Sequence, residues 1–495
     1  MPVRPSRGLS GREVRELWRY AVATDFHAIN PSIRTEEQTL GYGTEDRFLP
    51  FDQPISTSRF TYSINASGQC LAVTDKSNID IYDLETGERM VLKGHTSILA
   101  EIGFSPTDPN LLVSYADRDK DNHYNNANEI IIWNVEEEKA AAQSRPPMAV
   151  DEAAKVGIRA ALSSLEETLK ASEEDLEEMQ DSLKAMIEQI DIRSRVSSSR
   201  RLDGRISTHF QSPLFSNGGE YLIYLPKSRP ASNGDDTWDI CLYNLATRDI
   251  TTLSGHRDSI MWTGFSPDNT LIASADWDGF FRVHDVSGKE VWKWDTEKQN
   301  WAAVFSPDSK YLAGTDGAGI VRIWNLQSGE ETARFDNGPR WCRTIDWSPD
   351  GHHIIIGGED HGRLRLFAFS DGKIEMIQER ILSMKNSDLG GLDPAVRGSV
   401  CRLMSVHKAQ FLSSPEGAGT STRLVHSVGL DEGIEVFDFD KGKKWRFVPP
   451  YNEDGSVAAN QAGDGQQTLV GHIWRKETGE IGVIAADGIR FWRLD

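Results

Sequence analysis

The sequence predicts an all-β fold built from about eight copies of one small antiparallel sheet, and three observations carry that prediction. A hexapeptide pattern (apolar, variable, apolar, aromatic or His, variable, apolar) recurs at Ile79 (IDIYDL), Ile130 (IIIWNV), Ile240 (ICLYNL), Phe281 (FRVHDV), Val321 (VRIWNL), Leu364 (LRLFAF), Ile434 (IEVFDF) and Ile489 (IRFWRL). A second motif, FSP at Phe104, Phe265 and Phe305 and WSP at Trp347, precedes four of these. The starts Ile240, Phe281, Val321 and Leu364 advance by 41, 40 and 43 residues.

Each element follows from its chemistry. Alternate side chains of a strand share one face, so each hexapeptide reads as a strand with a regularly apolar side. Ser-Pro-Asp after an apolar run is turn chemistry, because Pro presets φ and Asp bonds its own backbone. The next apolar run, such as TLIASA before Asp276 or YLAGT before Asp316, is a further strand. A period of about 40–45 residues with about four strands per unit is the signature of propeller blades. The residues also resemble the WD40 family. Gly94-His95 and Gly255-His256 match its Gly-His dipeptide, with Phe104 and Phe265 each nine residues after the His. The resemblance is closest from about Ile260 to Phe369 and looser elsewhere, and no hexapeptide holds the literal Trp-Asp pair; Trp133 and Trp324 precede Asn.

The expected fold is therefore an all-β, WD40-like β-propeller, with eight blades favoured and seven as the fallback. The last hexapeptide ends at Leu494, which leaves the final unit without its outermost strand; residues between about Leu40 and Gln53 are expected to supply it. The expected organisation is an N-terminal helix and ring-closing strand (1–55), the first two blades (56–137), a helical coiled-coil insertion with a basic Ser/Arg linker (138–206), and the remaining blades (207–495).

Two departures from the repeat stand out. Ser10 and Glu13 match a capping box, and Val14, Leu17, Trp18 and Ala21 follow at helical spacing. Between Ile130 and Ile240, Ile158, Leu162, Leu165, Leu169, Ser172, Leu176, Met179, Leu183, Met186 and Ile190 alternate in steps of four and three, the seam of a coiled coil. A continuous helix of about 35 residues would span roughly 50 Å. The chain must return to the sheets, either through extended flanks or by a hairpin breaking near Ser172. The flank Ser194–Arg201 reads as a polar, basic linker.

Composition bounds the function. Of 495 residues 38% are hydrophobic and 26% charged, which suits a folded chain; the net charge of −21 disfavours nucleic acid and anionic lipid. Charges stand in the first twenty residues where a secretory signal needs an apolar run, so an intracellular place, cytoplasmic or nuclear, is expected. Cys70, Cys241, Cys342 and Cys401 lie far apart and read as buried reduced thiols. No HExxH, GxSxG or Walker loop is present, so no catalytic, metal or cofactor-binding residue is assigned and no cofactor is expected.

The WD40 resemblance implies a buried hydrogen-bonded chain within a blade. His256, Ser274 and Asp278 fall on three of its positions, and His284 on the Trp position; in the next unit Gly314 and Ala318 stand where Ser and Asp would be. The same resemblance implies that Trp277, Arg257, Arg340 and Trp341 ring one face, and Trp and Arg dominate protein-binding hot spots. The expected role is a non-enzymatic protein–protein interaction scaffold or adaptor for partners with basic segments, self-associating or holding a partner through the insertion. The alternative is a reader of a modified or basic peptide through an aromatic/Arg pocket; a propeller enzyme ranks below both.

Overall fold

The computed structural model describes residues 46–52, 60–116, 129–144, 200–206, 212–226, 238–338, 341–358, 363–381, 406–413, 423–428, 434–438, 443–447, 469–485 and 487–494. The helix expected after Ser10, the whole seam from Ile158 to Ile190, Arg340 and Cys401 lie outside the described residues. The chain divides into two compact units, residues 61–205 and residues 1–60 with 206–495.

Within residues 61–205 the described strands fall into two antiparallel sets of four, each paired in chain order. Tyr62–Ile64, Cys70–Asp75, Asn78–Asp83 and Arg89–Lys93 form the first; Leu99–Phe104, Leu111–Ala116, Glu129–Asn134 and Arg200–Arg205 form the second. Ser63 Oγ accepts the Phe104 N–H at 2.9 Å and ties the two first strands together. A helix, Val135–Ser144, leaves the third strand of the second sheet directly. Asn134 Oδ1 accepts the Glu137 N–H at 3.2 Å, and Glu136, Glu137 and Glu138 line the first turn, where the helix dipole favours acids. The segment read as a linker is thus partly strand. Arg200 and Arg201 open the strand Arg200–Arg205, and Arg201 pairs with Glu129 at 2.6 Å.

The other unit repeats the plan. The 260–295 sheet (Ile260–Phe265, Leu271–Asp276, Phe280–Asp285, Glu290–Asp295), the 300–336 sheet (Asn300–Phe305, Tyr311–Asp316, Ile320–Asn325, Glu331–Asp336) and the 342–381 sheet (Cys342–Trp347, His353–Gly358, Arg363–Ser370, Lys373–Ile381) are successive four-stranded meanders. Val406–Phe411, Arg423–Val428, Ile434–Asp438 and Lys443–Phe447 make another. Tyr221–Pro226, Trp238–Asn244 and Ile250–His256 run side by side, with Phe215 bridging Leu222 ahead of them. In the last sheet Leu469–Arg475, Glu480–Ala485 and Gly488–Arg493 are joined by Arg47–Pro50 as the outer strand. Arg47 stacks over Phe491 at 4.0 Å, and Asp46 accepts the Arg493 N–H at 2.8 Å. The missing outer strand comes from the N-terminal segment, where the open edge required one.

The turns form as their sequences dictate. Ser266, Ser306 and Ser348 each donate to the Asp two residues on (Asp268, Asp308, Asp350), at 2.6, 2.7 and 2.5 Å. Each hydroxyl also accepts the N–H that opens the second strand, from Leu271, Tyr311 or His353. In the three successive sheets the outer pairing shifts register at one place, after Val283, Ile323 and Leu366, so each outer strand carries one extra residue.

Packing between the 260–295 and 300–336 sheets forms a core around Trp262, Phe281, Val283, Phe305, Leu312 and Trp324. Phe281 lies 5.0 Å from Trp324, and Trp294 stacks on Trp324 at 4.8 Å. Trp292 and Trp294 donate to the carbonyls of Leu326 and Gly329 in the neighbouring sheet at 2.8 and 2.9 Å. Gly314 explains itself here, since a Cβ there would stand 2.6 Å from the Phe281 ring. Cys241 and Cys342 are buried; Cys70 is only partly so, a departure from the expectation for all the thiols.

Candidate interaction face and buried polar network

His256, the last residue of the strand Ile250–His256, reaches the second strand of the 260–295 sheet: its Nδ1 lies 2.5 Å from Asp276 Oδ2 and its Nε2 lies 2.7 Å from Ser274 Oγ. Nδ1–H donates to the carboxylate, so neutral Nε2 accepts the Ser274 hydroxyl proton. Asp276 Oδ1 accepts the Phe280 N–H at 2.7 Å and so fixes the turn into the third strand. His256 and Ser274 meet as expected of them, but the carboxylate is Asp276, not Asp278, which is exposed in the turn. The register decides this: Asp276 pairs with Ile260 at the sheet's end, beside His256, whereas Asp278 lies beyond the strand.

The order Ser–His–Asp is that of a hydrolase triad, yet all three side chains are at most 1% exposed. No carbonyl can reach Ser274 Oγ without opening the sheet, so the array acts on the fold. Burial holds the His256 imidazole below the ordinary His range, against the pull of Asp276. His284 occupies the Trp position and is buried, with Nδ1 lacking a hydrogen-bond partner among the described residues.

A second network, which the sequence reading passed over, joins His95, in the loop before Leu99, to the strands Leu111–Ala116 and Glu129–Asn134 of the sheet that begins at Leu99 (the 99–134 sheet). Trp133 Nε1 donates to Ser114 Oγ at 2.7 Å, and Ser114 Oγ lies 2.6 Å from His95 Nε2. Since Trp133 supplies the proton to Oγ, the hydroxyl proton goes to His95 Nε2 and the imidazole proton sits on Nδ1. Nδ1 is 3.9 Å from Glu129, a carboxylate engaged instead by Arg201 at 2.6 Å. Burial, helped by the Arg201 charge, pushes the His95 pKa down to about 3. The signal was present in Gly94-His95 and in Trp133 of IIIWNV.

In the 300–336 sheet Asp316 pairs with Asn300 in register, as Asp276 does with Ile260. It accepts the Ala318 and Ile320 N–H groups at 2.9 and 3.0 Å and Arg322 at 3.1 Å. The acid position is therefore filled, and Ala318 does not stand in its place. Arg322 replaces the His–Ser chain as the partner.

The candidate face lies at the sheet end where first strands begin and second strands finish. Trp277 follows the second strand of the 260–295 sheet, Trp301 is the second residue of the first strand of the next, and Trp341 precedes the first strand of the third. Trp277 and Trp301 meet edge to face at 6.0 Å and 80°; Trp301 and Trp341 lie 4.6 Å apart at 33°. Trp301 is 4% exposed and forms a floor, while Trp277 and Trp341 are 39% and 38% exposed. The Arg343 guanidinium sits 5.7 Å over Trp341. Arg257 is exposed in the loop leading into Ile260–Phe265. The structure thus joins Trp277 and Trp341 through Trp301, a residue that sequence reasoning missed because it sits inside the apolar run NWAAVF. Because both outer rings pack on Trp301, the three form a ladder, not walls around a slot.

Comparison with known proteins agrees with this architecture. Residues 247–285 match the family model described as WD domain, G-beta repeat. Angio-associated migratory cell protein from Homo sapiens is 33% identical over 121 residues, 24% of this chain and 27% of that protein. Small ribosomal subunit protein RACK1y from Oryza sativa subsp. japonica is 30% identical over 146 residues, 27% of this chain and 43% of that one. This chain therefore spans under half the length of these relatives. Among solved structures, Chaetomium thermophilum Sqt1 superposes with a TM-score of 0.55 at 14% identity, covering 91% of this chain and 98% of that one. Sqt1 bound to the N-terminus of the ribosomal protein L10 gives 0.53 at 13%, covering 90% and 100%. At such identity the likeness is one of fold.

Proposed function

We propose that this chain is a divergent member of the WD40-repeat β-propeller family and a non-catalytic protein–protein interaction scaffold whose docking face is centred on the tryptophan ladder. The observation that carries this reading is the ladder itself. Three indoles from three successive sheets are held by one another, and the outer two keep more than a third of their surface in water. Rigid aromatic area on a stiff β scaffold binds with little loss of side-chain entropy. Arg257 belongs to the same face, and Arg340, outside the described residues, is proposed for it from the sequence alone. Eight blades, and the cytoplasm or nucleus as the place of work, are part of the same proposal.

The seam from Ile158 to Ile190 is proposed as a second arm, for self-association or for a partner helix. Affinity capture with tagged full-length protein tests both parts. Trp277→Ala with Trp341→Ala should remove one set of partners, and deletion of residues 150–200 another. Unchanged capture by the double variant would refute the face, and an unchanged oligomeric state and partner set after the deletion would refute the arm.

A further inference from the structure

The two ends of the tryptophan ladder differ in one respect. At one end the chain's own cation, Arg343, lies over Trp341 at 5.7 Å. At the other end Trp277 presents an exposed indole, and no cation lies over it among the described residues. We propose that Trp277 is a cation-binding station that takes a Lys or Arg side chain from an extended basic segment of a partner protein. This deepens, and rests on, the docking-face reading.

The surroundings supply the countercharge. The Trp277 backbone N–H donates to the Ser259 carbonyl at 3.1 Å, which draws together the loop carrying Asp258 and the turn that holds Trp277 and Asp278. Asp278 is exposed, Asp258 is half-buried with one oxygen accepting the Ser259 N–H at 2.6 Å, and neither has an ion-pair partner among the described residues. An indole face attracts a cation through its quadrupole, and adjacent carboxylates strengthen the attraction as water is displaced. The whole molecule, at −21, draws basic segments toward it.

Arg257 shares the loop with Asp258 and would repel a bare cation. Its forked donors suit the backbone carbonyls of a segment that brings the cation in, so the occupant is a peptide and not a free amine. The ladder also rules out enclosure as the mode of binding. Trp301 fills the space between the outer rings, so the cation lies on an open face and is held by charge, with no requirement for methylation.

The test uses the full chain with its tryptophans labelled with ¹⁵N at the indole, the Trp277 signal being assigned from Trp277→Phe. The probes are capped pentapeptides with glycine on both sides of a central lysine, arginine or norleucine. Lysine and arginine peptides should shift the Trp277 indole signal and the norleucine peptide should not. Asp278→Asn should weaken the lysine peptide about threefold to tenfold, and added salt should weaken it further. An equal response to norleucine would overturn the proposal, as would an absence of response to either cation. If the norleucine peptide binds equally while the Trp277 and Trp341 variants lose partners in capture, the face docks proteins by apolar contact and only the cation station fails. If capture is also unaffected, both readings fail.

Discussion

Acidification should destabilise the 99–134 sheet through one residue, His95. Burial lowers its pKa from 6.5 to about 3 in the folded chain, so between those values the unfolded chain binds a proton that the folded chain refuses. Stability is then lost as pH falls through the unfolded value and goes on falling until the folded value is reached. At about pH 5 the gap is about 1.5 pH units, and at 1.36 kcal/mol per unit His95 alone costs about 2 kcal/mol. Near pH 3 the figure approaches about 5 kcal/mol, and above about pH 7.5 it vanishes. His95→Gln removes the titration but keeps an acceptor and a donor near the position of Nε2, which faces Ser114. The assay is urea unfolding of both proteins at about pH 7.5 and pH 5, with hydrogen exchange of Leu111–Ala116 to localise the change. Other titrating groups cancel in the difference between the two proteins. The wild type should lose about 2 kcal/mol more than the variant over that interval. Equal losses would show that His95 is protonated in the folded chain, and the reasoning from burial would fall.

Other variants test the packing and the networks. Trp324→Ala empties the space between Phe281 and Trp294 and should cost about 3–5 kcal/mol by denaturant unfolding. Gly329→Ala should destabilise by more than about 1 kcal/mol, since φ is +76° and the new Cβ would lie 2.2 Å from the Trp292 ring; a Tm within a degree of wild type would count against the fit. Asp276→Asn keeps the size but removes the charge that orients His256. It should cost about 1–3 kcal/mol and expose the Phe280 amide to exchange, whereas Asp278→Asn should leave both unchanged.

The strands and turns were legible because their signals are local. Alternation in IRFWRL or FRVHDV, and Ser and Asp bracketing Pro in the turns, act within a few residues, and the structure places a strand or a turn at each of them where it is described. The polar network was legible only to its outline. His256 and Ser274 were found, but a two-residue error in the acid arose because family spacing was counted along the chain, whereas the bond is set by cross-strand register. His95, Ser114 and Trp133 form the corresponding network in a unit whose repeat period is interrupted, since 110 residues separate Ile130 from Ile240.

The face shows the same division between local and long-range information. By itself the sequence determined the repeat, the strand alternation, the turn chemistry and the need for an extra outer strand, because each follows from short-range stereochemistry or from an edge that must be paired. Only the tertiary structure decided that Trp301 links Trp277 to Trp341, that Gly314 yields its space to Phe281, and that Glu129 turns to Arg201 instead of His95. Those outcomes depend on which side chains neighbouring strands and sheets bring within a few ångströms, and close packing settles that competition among residues far apart in the chain.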